Sequence, residues 1–96
     1  MKQRNPSRLV MREKEVRSDG TILELVVWQL GLPVPESSHG FKYRLYFGRG
    51  GQTKVRYDNE RGKGDHRHID GKEQLYRFKS LEVLIENFFA DVERSI

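Results

Sequence analysis

Apolar residues recur along this chain with two different periods. Up to about residue 78 they fall at every second position, and after residue 80 at every third or fourth. The clearest alternation is Phe41, Tyr43, Leu45 and Phe47 against Lys42, Arg44 and Tyr46, which predicts a strand with one apolar and one polar face. Gln52 to Asp58 alternates likewise, with Thr53, Val55 and Tyr57 opposite Lys54, Arg56 and Asp58. The intervening Gly48-Arg49-Gly50-Gly51 predicts a tight turn, so these two strands form a hairpin. Thr21 to Leu30, rich in β-branched and aromatic residues, reads as a central strand. Arg8 to Arg17 reads as a first strand with a short helix as the alternative, and Ser18-Asp19-Gly20 turns the chain between them. Gly31 to Gly40, with two prolines and two glycines, is a loop. His66 to Ile69 is strand again, Asp70-Gly71-Lys72-Glu73 a turn, and Gln74 to Phe78 a short last strand.

Leu81, Leu84, Ile85, Phe88, Phe89 and Val92 then mark an amphipathic helix from about Leu81 to Arg94, all six facing the sheet. Ser80 is its expected N-cap, and Glu82 sits near the positive end of the helix dipole. The expected fold is α+β: a curved antiparallel sheet of five or six strands with the C-terminal helix packed on its apolar face. Ninety-six residues suit one domain spanning 1–96, with residues 1–7 polar and frayed.

Composition narrows the function. Charged residues are 33% of the chain, but nine Phe and Tyr and one Trp supply enough apolar surface for a core. The absence of cysteine excludes disulfides and thiolate metal sites. No apolar run approaches the roughly 20 residues of a membrane span, and no signal-peptide pattern follows the N-terminal basic residues. A cytoplasmic protein that does not engage membranes is expected. Net charge is +4, and it is unevenly placed. Residues 42–68 carry eight basic side chains against three acidic, whereas residues 69–96 carry four against six. Such clustering favours a polyanion, most simply nucleic acid. Lys42, Arg44, Lys54 and Arg56 share the polar face of the predicted hairpin, where cross-strand like charges repel; a bound anion would relieve this, as would a twisted, well-solvated sheet.

The candidate chemistry lies in residues 56–69. His66 and His68, at spacing two on a strand, point the same way. Both lie in a polar segment and are expected at the surface. Two imidazoles among arginines and lysines suit acid–base chemistry on a phosphodiester. In a metal-free scheme one histidine takes the 2′-hydroxyl proton, the other protonates the leaving 5′-oxygen, and a 2′,3′-cyclic phosphate results. Arg56, Lys63 and Arg67 are candidates to hold the phosphate. Tyr57 is a candidate to stack a base or donate a proton, and Asp58 and Asp65 to orient a histidine. His39, in its loop, is a candidate to join them. The rival chemistry is a metal held by Asp65, His66, His68 and Asp70, disfavoured by the surrounding positive charge; no cofactor is expected. Trp28 reads as a core or partner contact.

Several segments together resemble the TumE family of toxin–antitoxin proteins. They are the Asp19-Gly20 turn, Val27-Trp28, Ser38-His39-Gly40-Phe41-Lys42-Tyr43-Arg44-Leu45, Arg56-Tyr57-Asp58-Asn59-Glu60, Lys63-Gly64-Asp65-His66-Arg67-His68, Tyr76-Arg77-Phe78 and the Leu81–Val92 helix. The resemblance covers most of residues 18–93. It implies a small cytoplasmic toxin encoded beside a helix-turn-helix antitoxin. The expected partners are RNA, that antitoxin and, as a possible addition, a second copy of the chain. The residue chemistry makes a metal-independent ribonuclease the first expectation. A non-catalytic nucleic-acid-binding or protein-interaction module is the alternative. Nucleotide transfer is a third class, weakened by the lack of a glycine-rich phosphate loop leading into a helix.

Overall fold

A computed structural model describes residues 7–31, 38–60 and 64–96. Six strands follow one another: β1 (Arg8–Val16), β2 (Thr21–Gln29), β3 (Phe41–Arg49), β4 (Gln52–Asp58), β5 (His66–Ile69) and β6 (Lys72–Leu75). Among the described residues one helix, α1 (Leu81–Arg94), follows them near the C-terminus. Every strand pairs antiparallel with its sequence neighbours, giving an open meander in the order β1-β2-β3-β4-β5-β6. The residues expected to be frayed lie outside the description, apart from Ser7. The helical alternative for the first strand is not adopted. Among the described residues no helix is long and apolar enough to cross a membrane.

The alternation translates directly into burial. Leu23, Leu25 and Val27 of β2, Tyr43, Leu45 and Phe47 of β3, and Val55 and Tyr57 of β4 form the core with Leu84, Phe88 and Val92 of α1. Ser80 caps the helix by accepting the Val83 N–H at 3.1 Å. Of the six apolar positions expected to face the sheet, Leu81 and Ile85 are only partly buried and Phe89 is 37% exposed. The helix stripe is wider than the sheet surface it covers, so its edge is left open.

Two turn details shape the far end of the sheet. Asp70 and Gly71 both adopt positive φ (50° and 80°) and alone form the turn, so Ile69 pairs with Lys72. A two-residue loop of this kind matches strand twist and suits Asp-Gly. The last strand therefore starts at Lys72 and ends at Leu75, earlier than the Gln74–Phe78 expected. Beyond Leu75 the Tyr76 N–H still donates to Asp65 O, just ahead of β5 (3.0 Å). Tyr76 and Phe78 then turn inward to pack on the core.

The β3–β4 register shifts between Phe47 and Gly48. A Cβ at Gly48 would collide with the Tyr46 hydroxyl and with the backbone oxygen of Gln52. Backbone cannot yield as a side chain can. Gly48→Ala is expected to destabilise the chain by about 1–3 kcal/mol, as overpacking does; a melting curve indistinguishable from the parent would contradict this.

Candidate functional site on the open sheet face

The face of the sheet away from α1 carries the polar alternation, and the strand registers order it into rows. One row runs Val26, Arg44, Asp58, His66, Leu75 across β2 to β6. The next runs Glu24, Tyr46, Arg56, His68, Glu73. The four residues Arg56, Asp58, His66 and His68 thus form a two-by-two block on adjacent strands. The expected repulsion between cationic pairs does not arise, because Arg44 lies opposite Asp58 and Arg56 opposite Tyr46.

Asp58 is the hub. Its Oδ1 lies 2.8 Å from His66 Nε2 and its Oδ2 3.0 Å from Arg56 Nε. The Arg56 contact is an ion pair by distance only, since the N–H is not aimed well enough to form a hydrogen bond. Asp58 is held by its neighbour: the buried Asn59 accepts the Tyr43 N–H (3.0 Å) and donates to Phe41 O (2.7 Å), prolonging the ladder beyond β4 with a side chain. His66 is buried, contrary to the surface position expected from its polar neighbours, because its ring is enclosed by Asp58, Glu73 and Gly64. Its Nδ1 lies 3.0 Å from Gly64 O. His68 is half-buried, with its ring centroid 5.9 Å from that of His66 and its Nε2 3.6 Å from Glu73 Oε1.

Around this block the face carries cations and aromatic rings, with Glu24, Glu60 and Glu73 among them. Trp28 lies opposite the exposed Lys42. Its indole lines a shallow pocket with Val26, Leu30, Lys42 and Arg44. It belongs to the open face and not to the core. The Arg44 guanidinium lies 5.4 Å from the Tyr46 ring centroid, a cation–π distance. Lys54 is half-buried two residues before Arg56, beside the register shift. Lys63 lies outside the described residues.

Tyr57, Asp65 and Arg67 are not brought together with the histidine pair. The Tyr57 hydroxyl, on the helix side, donates to Asp91 Oδ2 of α1 and accepts from Arg67 Nη1 at 3.0 Å. Arg67 Nη1 also reaches Asp91 Oδ2 at 3.1 Å. Burial pushes the Tyr57 hydroxyl well above its ordinary range, and its bond to Asp91 adds to this, so it stays a donor at neutral pH. Asp65 accepts from the Tyr43 hydroxyl at 2.6 Å and meets His39 Nε2 at 2.9 Å. His39 Nδ1 accepts the Phe41 N–H at 3.2 Å, and the ring stacks on Phe78 with centroids 3.7 Å apart. His39 therefore serves the underside of the sheet and does not join His66 and His68. The metal set considered from sequence is likewise split: Asp65 points away, and Glu73, not Asp70, stands opposite His68.

Glu73, Trp28, Tyr46 and Asn59 are the site residues that sequence proximity did not single out. Trp28, Tyr46 and Glu73 are placed by strand parity and by the residue each opposes, and Asn59 by its side-chain bonds to the β3 backbone.

A family model described as Toxin TumE matches residues 1–96, the whole chain. No curated protein and no solved structure matches it.

Proposed function

The chain belongs to the TumE toxin family, which makes it the toxin component of a toxin–antitoxin system, and on that premise we propose that it binds RNA on the open sheet face and cleaves it without a metal cofactor. The observation that carries this reading is the Arg56–Asp58–His66–His68 block set among Lys42, Arg44, Trp28 and Tyr46. Cations there would neutralise phosphates, and the two aromatic rings would stack on bases, a pairing that suits single strands. His68 has the more accessible ring and is the group to move the proton. His66, fixed by Asp58 and Gly64, presents a positioned nitrogen beside it, and Arg56 and Arg44 stabilise charge developing on the phosphate. Tyr57, Asp65 and Arg67 serve folding in this reading. A cognate antitoxin with a helix-turn-helix domain would neutralise the toxin by covering the same face.

The test is incubation of purified protein with labelled RNA and DNA, with and without EDTA. RNA should be cut in both conditions and DNA bound but left intact. Loss of cleavage in EDTA with recovery in Mg²⁺ or Mn²⁺ would overturn the metal-free chemistry.

Binding should also weaken steeply with salt, because each neutralised phosphate releases counterion. Replacing Lys42 and Arg44 together with Gln removes two phosphate contacts. The log–log salt slope should then fall by roughly 1.4 on single-stranded RNA. An unchanged slope and affinity would remove this face from the binding surface.

A further inference from the structure

The hydrogen bonds of His66 leave one atom to be explained. Gly64 O is an acceptor only, so the proton facing it sits on Nδ1. The other nitrogen, Nε2, then points at two carboxylates, with Asp58 Oδ1 at 2.8 Å and Glu73 Oε2 at 3.4 Å. A bare lone pair cannot rest against two anionic oxygens. The position is therefore shaped to receive a cation between the ring and the carboxylates. A histidine whose Nδ1–H is tied to a backbone carbonyl, with Nε2 turned to carboxylates, is also the usual arrangement of a metal-ligating histidine.

The neighbours complete such a set. One ligand atom each from His66, His68 and Glu73 lies within 4.8 Å of the others. Ligands about 2.05 Å from a tetrahedral ion stand about 3.3 Å apart. Glu73 Oε2 is 3.4 Å from His66 Nε2 and Glu73 Oε1 is 3.6 Å from His68 Nε2, so the three side chains would draw together slightly around an ion. The positive surroundings that argued against a dication are offset locally. Asp58 stands between His66 and Arg56, and with Glu73 it supplies two carboxylates at the site.

We propose that His66 Nε2, His68 Nε2 and the Glu73 carboxylate form a site for a divalent transition-metal ion of the zinc type, with Asp58 as its fourth neighbour, and that occupancy silences the toxin. Two imidazoles and one carboxylate are borderline donors that suit Zn²⁺ over Mg²⁺ or Ca²⁺. The silencing half rests on the function proposed above: a metal on His68 Nε2 occupies the nitrogen that would move the proton, and on His66 Nε2 it covers the positioned nitrogen beside it. Zinc is thus a reversible inhibitor of this site, not its cofactor.

Calorimetric titration of the purified full chain with Zn²⁺ tests the binding, and the visible d–d spectrum of Co²⁺ reports the ligand geometry. One ion per chain is expected, with affinity at least tenfold weaker in Glu73→Gln and in His68→Ala, both of which change half-buried or exposed residues. Co²⁺ should give the intense spectrum of four-coordination, diminished in either variant. In the RNA assay Zn²⁺ should stop cleavage, and EDTA should restore it. Absence of binding below about 100 μM, or binding that both substitutions leave unchanged, overturns the site. If Zn²⁺ binds as described but no RNA is cleaved under any condition, the metal site stands and the ribonuclease reading fails. Cleavage that continues at saturating Zn²⁺ overturns the inhibition.

Discussion

His68→Ala is expected to abolish growth inhibition and RNA cleavage while leaving the fold intact. The ring is half-buried on a short strand, and its nearest ionic partner, Glu73 at 3.6 Å, is exposed. Removing it should change stability by no more than about 0.5 kcal/mol, as surface substitutions do. Loss of a positioned proton-transfer group costs roughly 10²–10⁴ in rate. Cell growth on induction, paired with a melting curve of the purified variant, separates the two effects. A fully toxic His68→Ala would show that this histidine does not take part. His66→Ala is a poorer probe. The side chain is buried, and its removal takes one of Asp58's two partners, so lost activity there would be mixed with lost stability.

The second large effect lies under the sheet. Asp91 is 5% exposed and binds the Tyr57 hydroxyl, Arg67 and, at 2.5 Å, Arg94. It ties α1 to β4 and β5 at once. Asp91→Ala would leave the buried Tyr57 hydroxyl facing only a cation and free Arg67 from the helix. Arg67 and Arg94 retain access to water, which discounts the electrostatic part. Lost hydrogen bonds to a charged group still amount to about 2–3 kcal/mol. For a domain of this size that lowers Tm by roughly 10–20 °C. Circular dichroism melting checks it; a drop of only a degree or two would mean that the network contributes little to holding the helix.

How much of this was legible follows from which interactions are local. The core face was readable because alternation is a backbone property: Tyr43, Leu45, Val55 and Tyr57 are buried as their parity requires. The helix bounds were readable from Ser80 and the spacing of Leu84, Phe88 and Val92. Strand parity also carried the partition of the site. Tyr57 lies between Arg56 and Asp58, and Arg67 between His66 and His68, so both had to project to the other side. Grouping residues by closeness in sequence obscured that separation.

Register was not legible. Whether Asp70-Gly71 or Asp70 to Glu73 forms the turn decides whether Glu73 is in a loop or directly across from His68, and both readings fit the sequence. Nor was it evident that Asn59 would extend the β3 ladder and so hold Asp58 under His66. The Asp91 network joins residues 24 and 34 positions apart, and no local pattern announces such a pairing.

In the function proposed above, the open face cleaves RNA through the RNA's 2′-hydroxyl with His68 moving a proton. The direct measurement compares a labelled oligoribonucleotide cut by the purified chain with the same oligonucleotide carrying a single 2′-deoxy residue at the cleavage site. The first should yield a 2′,3′-cyclic phosphate end, and the second should resist cleavage at that position while binding equally well. Cleavage of the deoxy-substituted strand at the same position and rate would contradict that chemistry.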